Sequence, residues 1–156
     1  MLILGLNAYH GDASACLVVD GKIVAAAEEE RFRRVKHWAG FPSEAIRYCL
    51  AEGRFELHDV NHVAVNSDPK ANLLRRLAYT LLNRPSSALI IDRLRNQGRR
   101  LSIEAELNRL QPNGEMQAPI HRVEHHLAHL ASCFLVSPYR DAVAVSVDRL
   151  DRKSVV

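Results

Sequence analysis

The sequence predicts an α/β or a mixed α+β fold, in which helices flank a sheet. Three short β-prone runs open the chain, and a strongly apolar run at residues 142–147 lies near its end. Between these runs, apolar residues recur mainly at helical spacing. A strand as apolar as the last one usually lies in the centre of a sheet, with further chain packed around it. We therefore expect the domain to be incomplete within these 156 residues.

Composition and charge exclude several classes of protein. Hydrophobic residues make up 47% of the chain and charged residues 25%, as in a globular domain and unlike disordered or fibrous proteins. Lysine and arginine number 21 against 18 acidic residues, an excess too small to indicate nucleic-acid binding by itself. No apolar run approaches the roughly 20 residues of a membrane helix. The three cysteines form no CxxC motif, which favours a reducing, cytoplasmic location.

The opening residues predict a β-meander. Residues 2–6, 14–19 and 23–27 are three apolar runs of strand length. Asp20-Gly21, between the second run and the third, is a strong signal for a two-residue hairpin turn. The polar loop between the first two strands carries His10.

Helices and strands alternate after an irregular polar segment at residues 28–41. Pro42-Ser43 predicts a helix start with Ser43 as the N-cap, and Gly53 ends that helix. Residues 60–65 alternate like a strand, and the pattern is helical from residue 68 to residue 110. The later predicted elements are a strand at 120–123, a helix at 125–134 and the apolar strand at 142–147.

Two histidines one helical turn apart are candidate metal ligands. In a helix over residues 125–134, His125 and His129 lie on the same face. The spacing is that of zinc proteases, but His126 occupies the place of their glutamate, which excludes that activity. Asp148 follows the apolar strand, where parallel sheets collect ligand-binding side chains, and is the candidate third ligand. The alternative is a set of helix-surface histidines that bind no metal.

His10 is a candidate general base. A histidine titrates near neutral pH and can take a proton when a neighbour orients it. Asn7, Tyr9 and Asp12 flank it in the first loop. The alternative is a turn histidine that is hydrogen-bonded within its own loop.

Two basic segments could bind anions. The first comprises Arg31, Arg33, Arg34, Lys36 and His37. With Trp38 beside it, this cluster could hold a phosphate or nucleotide. The alternative is a solvated loop whose positive charges balance the glutamates at residues 28–30. The second, residues 70–100, has eight basic residues and one acid, which is the argument for a small RNA-binding protein. Tyr79 is the one aromatic residue of this segment, so stacking of bases on aromatic side chains has little support. The alternative is that the basic residues form the solvent-exposed face of amphipathic helices.

Three separated motifs, in this order, resemble the N-terminal part of the NodU/CmcH-type carbamoyltransferases. The first is LGLNAYHGDASACLVVDGKIVAAAEEERFRRVKHWAGFPSEAIRYCL at residues 4–50. The others are EHHLAHLASCF and SPYRDAVAVSVD, within residues 124–148. Residues 66–118 are the least diagnostic part. The family modifies nodulation factors, cephamycins and aminoglycosides.

The resemblance implies a two-part enzyme. Its N-terminal domain has the actin-like fold of the sugar-kinase superfamily, of which this chain would hold the first half, and is related to proteins that transfer threonylcarbamoyl to tRNA. A C-terminal YrdC-like domain makes carbamoyladenylate from carbamoyl phosphate and ATP, and the N-terminal domain passes the carbamoyl group to a hydroxyl of a small-molecule acceptor. By the same resemblance His10 is the general base, and a divalent metal, usually iron, is bound by His125, His129, Asp148 and a distant aspartate.

The resemblance covers residues 1–148, and residues 149–156 do not match the family. A glycine-containing turn normally follows the metal-binding aspartate, and this chain has bulky charged residues there instead. These 156 residues contain no YrdC-like half. We therefore expect a fragment of a cytoplasmic O-carbamoyltransferase that is inactive alone, with neither a membrane nor a nucleic-acid partner. The alternatives are a small RNA-binding protein and a standalone metal-binding domain.

Overall fold

The computed structural model describes residues 1–67, 103–111 and 116–145 of the chain. In these residues the strands are β1 (Leu2–Asn7), β2 (Ser14–Val19), β3 (Lys22–Glu28), β4 (His62–Val65) and β5 (Ile120–Arg122). The helices are α1 (Glu30–Arg33), α2 (Ser43–Gly53), α3 (Ile103–Leu110) and α4 (His125–Phe134), and a 3-10 turn spans Leu57–Asp59.

The five strands form one mixed sheet in the order β3-β2-β1-β4-β5. The first three are an antiparallel meander, whereas β4 and β5 run parallel to β1. Gly5 at the centre of the sheet pairs with Cys16 on one side and Ala64 on the other. A Cβ on Gly5 would lie 2.6 Å from the Cys16 Sγ, so a larger residue does not fit there. The mixed sheet with its flanking helices confirms the predicted α/β fold class.

The predicted hairpin turn is confirmed in position and geometry. β2 ends at Val19 and β3 begins at Lys22, so that Asp20 and Gly21 form the two-residue loop. Both loop residues have positive φ, 48° for Asp20 and 80° for Gly21. Two consecutive positive φ values match the right-handed twist of the strands, which is why Asp-Gly predicts this turn.

One face of the sheet forms the hydrophobic core. Leu4, Leu17 and Val63 point to this face from three strands and are fully buried. Ile46 of α2 and Leu107 of α3 belong to the same buried cluster. Each such side chain contributes about 1.5–3 kcal/mol by leaving water. The core therefore fixes α2 and α3 to one side of the sheet and leaves its other face for the site.

Ser43 is not the N-cap of α2, contrary to the prediction. The helix begins at Ser43, and Pro42 stands at the cap position without a side-chain cap bond. The fully buried carboxylate of Glu29 takes that part instead, accepting a hydrogen bond from the Ala45 N–H at 2.9 Å. The same carboxylate also accepts hydrogen bonds from the Glu44 N–H at 3.3 Å and from Arg33 Nε at 2.7 Å. A carboxylate from outside the helix satisfies its first N–H groups and its positive end, which local sequence could not show.

The apolar strand predicted at 142–147 does not form over its described residues. Residues 142–145 have no strand conformation, and Val143 and Val145 are 92% and 74% exposed. A strand needs a hydrogen-bonding neighbour, and within the described ranges these residues pair with none. The prediction of a strand from apolar residues alone was therefore wrong for residues 142–145.

The helical pattern predicted from 68 to 110 lies largely outside the described residues. Its described part is α3, whose Ile103 and Leu107 are buried one turn apart. The segment predicted as irregular at 28–41 contains the short helix α1. Where the structure describes the chain, no helix combines the length and the apolar character needed to cross a membrane.

Candidate functional site

The carboxyl ends of the parallel strands β1, β4 and β5 bring three segments to one edge of the sheet. These are the loop at 8–13, residues 66–67 and the turn at 123–124 that leads into α4. Ligands in α/β proteins bind at this kind of edge, because loops from several strands meet there. His10, His125 and His129 all lie in or next to these segments.

The loop that carries His10 is held by the last residue of β1. Asn7 Nδ2 donates hydrogen bonds to the backbone oxygens of Gly11 at 3.3 Å and Asp12 at 2.9 Å. Tyr9 and Asp12 have positive φ, 59° and 60°, so the backbone turns sharply on both sides of His10. One amide side chain thereby fixes the turn in which the candidate base stands.

A second segment fastens the same loop from outside. Tyr9 N donates to the oxygen of Gly40 at 3.1 Å, and Ala13 N donates to the oxygen of Trp38 at 2.9 Å. Loops held on both sides by backbone hydrogen bonds keep one geometry, as a proton-transfer site requires.

The start of α4 is fixed by Glu124. Its side chain accepts a hydrogen bond from the Leu127 N–H at 2.8 Å, so Glu124 is the N-cap of the helix. The N–H groups of Leu127 and then His126 hold the pKa of the Glu124 carboxyl below its ordinary value. The cap therefore stays ionised at neutral pH and orients the turn that presents His125.

The two candidate ligands on α4 face each other as predicted. The Nε2 atoms of His125 and His129 are 3.2 Å apart. Two nitrogens that each lie about 2.1 Å from one cation, at adjacent coordination positions, have about this separation. His125 Nδ1 is buried and has no hydrogen-bond partner in the described residues. The pair thus fits two ligands of one metal ion. Within the described ranges, no third His, Cys, Asp or Glu completes such a group.

His10 and His125 lie against each other, which the sequence did not predict. Their rings stack with centroids 4.9 Å apart and planes 12° apart. The candidate base and the candidate metal ligands, considered separately in the sequence, therefore form one cluster. Two of the three predicted metal ligands and the predicted base are in it, and the third ligand, Asp148, lies outside the described residues.

The basic cluster at 31–37 is mostly engaged with neighbouring acids. Arg31 contacts the Glu28 carboxylate at 3.3 Å, and the Arg33 guanidinium lies 4.6 Å above the Trp38 ring while it binds Glu29. These pairings favour the charge-balanced alternative for the cluster over an anion site. The second basic segment, residues 70–100, lies outside the described residues.

A cavity of about 980 Å³ opens on the second face of the sheet. Its lining includes Gly5 and Asn7 of β1, Asn66 directly after β4, and Ala128 and Ala131 of α4. The small residues of these strands leave this space, whereas the opposite face is filled by the core. A volume of this size is ample for a nucleotide-sized ligand.

Asn66 is the residue of this site that sequence reasoning missed. It follows β4 directly, donates from Nδ2 to Asn7 Oδ1 at 3.1 Å, and lines the cavity. The available signal was a polar residue just after an alternating strand that runs parallel to β1. That signal needs the strand order, which the sequence did not predict.

Comparison with known proteins matches the chain over nearly its full length. A family model described as the carbamoyltransferase N-terminus matches residues 2–150. An uncharacterized protein of Synechocystis, sll1178, is 36% identical in an alignment 155 positions long, which covers 94% of this chain and 25% of that protein. The nodulation protein NolNO of Sinorhizobium fredii is 29% identical over 142 residues, which are 91% of this chain and 20% of that protein.

The chain spans a quarter of the first curated relative and a fifth of the second. Among solved structures, YeaZ from Pseudomonas aeruginosa is similar, with a TM-score of 0.44 and 17% identity over 85% of this chain and 47% of that chain.

Proposed function

Because this chain belongs to the carbamoyltransferase N-terminus family, we propose that it is the transferring part of an O-carbamoyltransferase. The observation that supports this most is the stack of His10 on His125, 4.9 Å between ring centroids. A candidate base and a candidate metal pair meet at one sheet edge beside a large cavity. Acyl transfer from an adenylate requires a base and a site for the donor in this arrangement.

In the proposed reaction the donor is carbamoyladenylate and the acceptor is a hydroxyl of a small molecule. The acceptor oxygen attacks the carbamoyl carbon while an imidazole nitrogen of His10 takes the hydroxyl proton. The bond between that carbon and the phosphate oxygen then breaks, and AMP leaves with the electron pair. The products are a carbamate ester and AMP, so no oxidant or reductant is needed.

Part of the site would hold a divalent metal, for which iron is proposed. His125 and His129 would supply two nitrogen ligands, and Asp148 would supply the third by resemblance to the family. When bound, such a cation stabilises negative charge on phosphate or carbonyl oxygens. Asn7 and Glu124, on either side, keep the His10 loop and the first turn of α4 in place.

The donor would be made by a YrdC-like partner domain from carbamoyl phosphate and ATP. The chain spans a quarter of one curated relative and a fifth of another, so the proposal assigns it one part of the whole activity. On this proposal the chain alone does not turn over, and it acts in the cytoplasm, where ATP and carbamoyl phosphate are available. Neither a membrane nor a nucleic acid is a proposed partner.

The test is whether the chain binds the donor beside the two histidines. Purified chain is titrated with 5′-O-(N-carbamoylsulfamoyl)adenosine, a non-reactive analogue of carbamoyladenylate, and the imidazole signals are followed by NMR. We expect saturable shifts of the His10 and His125 signals, with none for His58, which lies on the distant 3-10 turn. An absence of binding, or binding that leaves His10 unshifted, would overturn the proposal.

A further inference from the structure

The orientation of the Asn7 amide is fixed by its neighbours. The two atoms next to its nitrogen are backbone oxygens, those of Gly11 and Asp12. Backbone oxygens only accept hydrogen bonds, so the side-chain atom facing them has to be the NH2 group. The Asn7 Oδ1 therefore faces the other way, towards Asn66.

This orientation in turn fixes Asn66. The atom of Asn66 that lies 3.1 Å from Asn7 Oδ1 has to be a donor, and is therefore Nδ2. The Asn66 Oδ1 then faces away from Asn7 as an acceptor. It is buried, and within the described residues it has no hydrogen-bond partner. A buried acceptor left without a donor costs free energy, which indicates that the native complex supplies one.

The position of this acceptor suggests which donor it meets. Asn66 lines the cavity with Asn7, and Asn7 is also the residue that holds the His10 loop. The reacting carbon has to lie near His10 for proton transfer in the proposed reaction. In a carbamoyl group the NH2 is bonded directly to that carbon, so its hydrogens lie in the same part of the site.

We propose that Asn66 Oδ1 accepts a hydrogen bond from the carbamoyl NH2 and thereby selects a carbamoyl group over other acyl groups. This inference rests on the proposed function. An acetyl group has nearly the same shape but presents a methyl group where the carbamoyl group presents NH2, so it would leave the buried oxygen unpaired. Sites built to hydrogen-bond a substrate group reject analogues that lack it, and one such bond gives a discrimination of roughly tenfold to a hundredfold.

The test compares two ligands that differ only in this group. The full chain is titrated calorimetrically with 5′-O-(N-carbamoylsulfamoyl)adenosine and with its N-acetyl counterpart. The readout is the ratio of their dissociation constants, which cancels any general loosening of the site by a substitution. The same ratio is then measured for Asn66→Ala, for Asn66→Asp, and for Ser14→Ala, which removes another side chain of the cavity lining.

We expect the unmodified chain to prefer the carbamoyl analogue by about tenfold or more. In Asn66→Ala the ratio falls towards one, whereas Asn66→Asp keeps an acceptor oxygen and keeps a preference even where both affinities drop. Ser14→Ala leaves the ratio unchanged.

Other outcomes overturn the inference in distinguishable ways. If both analogues bind the unmodified chain equally, the donor site is supported but the proposed selection by Asn66 is wrong. The assignment also fails if Asn66→Ala retains the full preference, or if Ser14→Ala loses it. If neither analogue binds, the proposed function fails together with the inference.

Discussion

The imidazole rings of His10 and His125 stack with centroids 4.9 Å and planes 12° apart, although they come from opposite ends of the described chain. One ring stands in the loop after the first strand and the other in the first turn of α4. Parallel pairing of β1, β4 and β5 brings these two segments to the same sheet edge. This contact makes one site out of two motifs.

Replacing His10 should separate the two half-reactions. In an enzyme assembled with a YrdC-like domain, His10→Ala should lower carbamoyl transfer at least about a hundredfold, because the acceptor loses its proton acceptor. Carbamoyladenylate formation should be unchanged. Carbamate ester and pyrophosphate are measured in parallel, with His58→Ala, an exposed histidine on the 3-10 turn, as the matched control. Loss of both half-reactions in His10→Ala would contradict the assignment of His10.

Metal binding should depend on two of the three histidines at the start of α4. His125→Ala and His129→Ala should each lose bound divalent metal, because their Nε2 atoms are the pair that faces one point. His126→Ala should retain it, since this neighbour has no place in that pair. The measurement is metal content by elemental analysis after dialysis, extended to Asp148→Asn for the third predicted ligand. Equal metal content in the His125 and His126 variants would contradict the site.

Glu29 should be essential for stability, and its neighbour Glu28 should not. Glu29→Ala removes a fully buried carboxylate and leaves Arg33 and the first N–H groups of α2 without their acceptor. The free energy of unfolding should fall by about 3 kcal/mol or more. Glu28→Ala breaks an exposed pair with Arg31 and should cost less than about 0.5 kcal/mol. Urea denaturation of both variants measures the difference, and similar losses would show that Glu29 does not cap α2.

Cys49 should make stability fall at alkaline pH. Burial raises the pKa of its thiol from the ordinary 9.0 to about 11, so the unfolded chain loses this proton first as the pH rises. The contribution is fully present below pH 9 and is lost between pH 9 and about 11. Between pH 9 and about 11, the free energy of unfolding should fall more steeply with pH for the unmodified chain than for Cys49→Ala. Denaturation curves recorded at several pH values in this window measure that fall. Parallel pH dependences would contradict the burial of this thiol.

Thiol reactivity gives an independent measure of the same packing. The exposed Cys133 should be alkylated by iodoacetamide well before the buried Cys49, and Cys16, whose pKa is also raised by burial, should react late. Mass spectrometry of timed samples gives the order. Early modification of Cys49 would show that α2 is not packed on the sheet as described.

Local pattern was sufficient for the elements that local forces decide. The Asp20-Gly21 turn, the helix over residues 125–134 and the meander of the first strands were all predicted, and the structure confirms them. Each of these elements depends on residues that are neighbours in the sequence. The turn depends on two φ values, the helix on its periodicity, and the strands on the alternation of their side chains. The facing pair His125 and His129 belongs to the same class, because its spacing is a property of a single helix.

The sequence-based predictions were wrong or incomplete where the structure depends on contacts between residues that are distant in the chain. The cap of α2 comes from Glu29 rather than Ser43, and the predicted apolar strand is exposed at Val143 and Val145. Both depend on what lies nearby in space: a buried carboxylate in one case, the lack of a described neighbouring strand in the other. No local rule contains that information.

The sequence by itself determined which chemical groups this protein has and how each sits within its own element: a histidine in the first loop, two histidines one turn apart, and the strands and helices that carry them. Only the tertiary structure decided that these groups meet. The order β3-β2-β1-β4-β5 places the ends of β1, β4 and β5 side by side, so that His10 stacks on His125 and Asn66 donates a hydrogen bond to Asn7. The physical reason is that spacing along a chain fixes directions within one helix or strand, whereas the pairing of strands fixes which ends become neighbours.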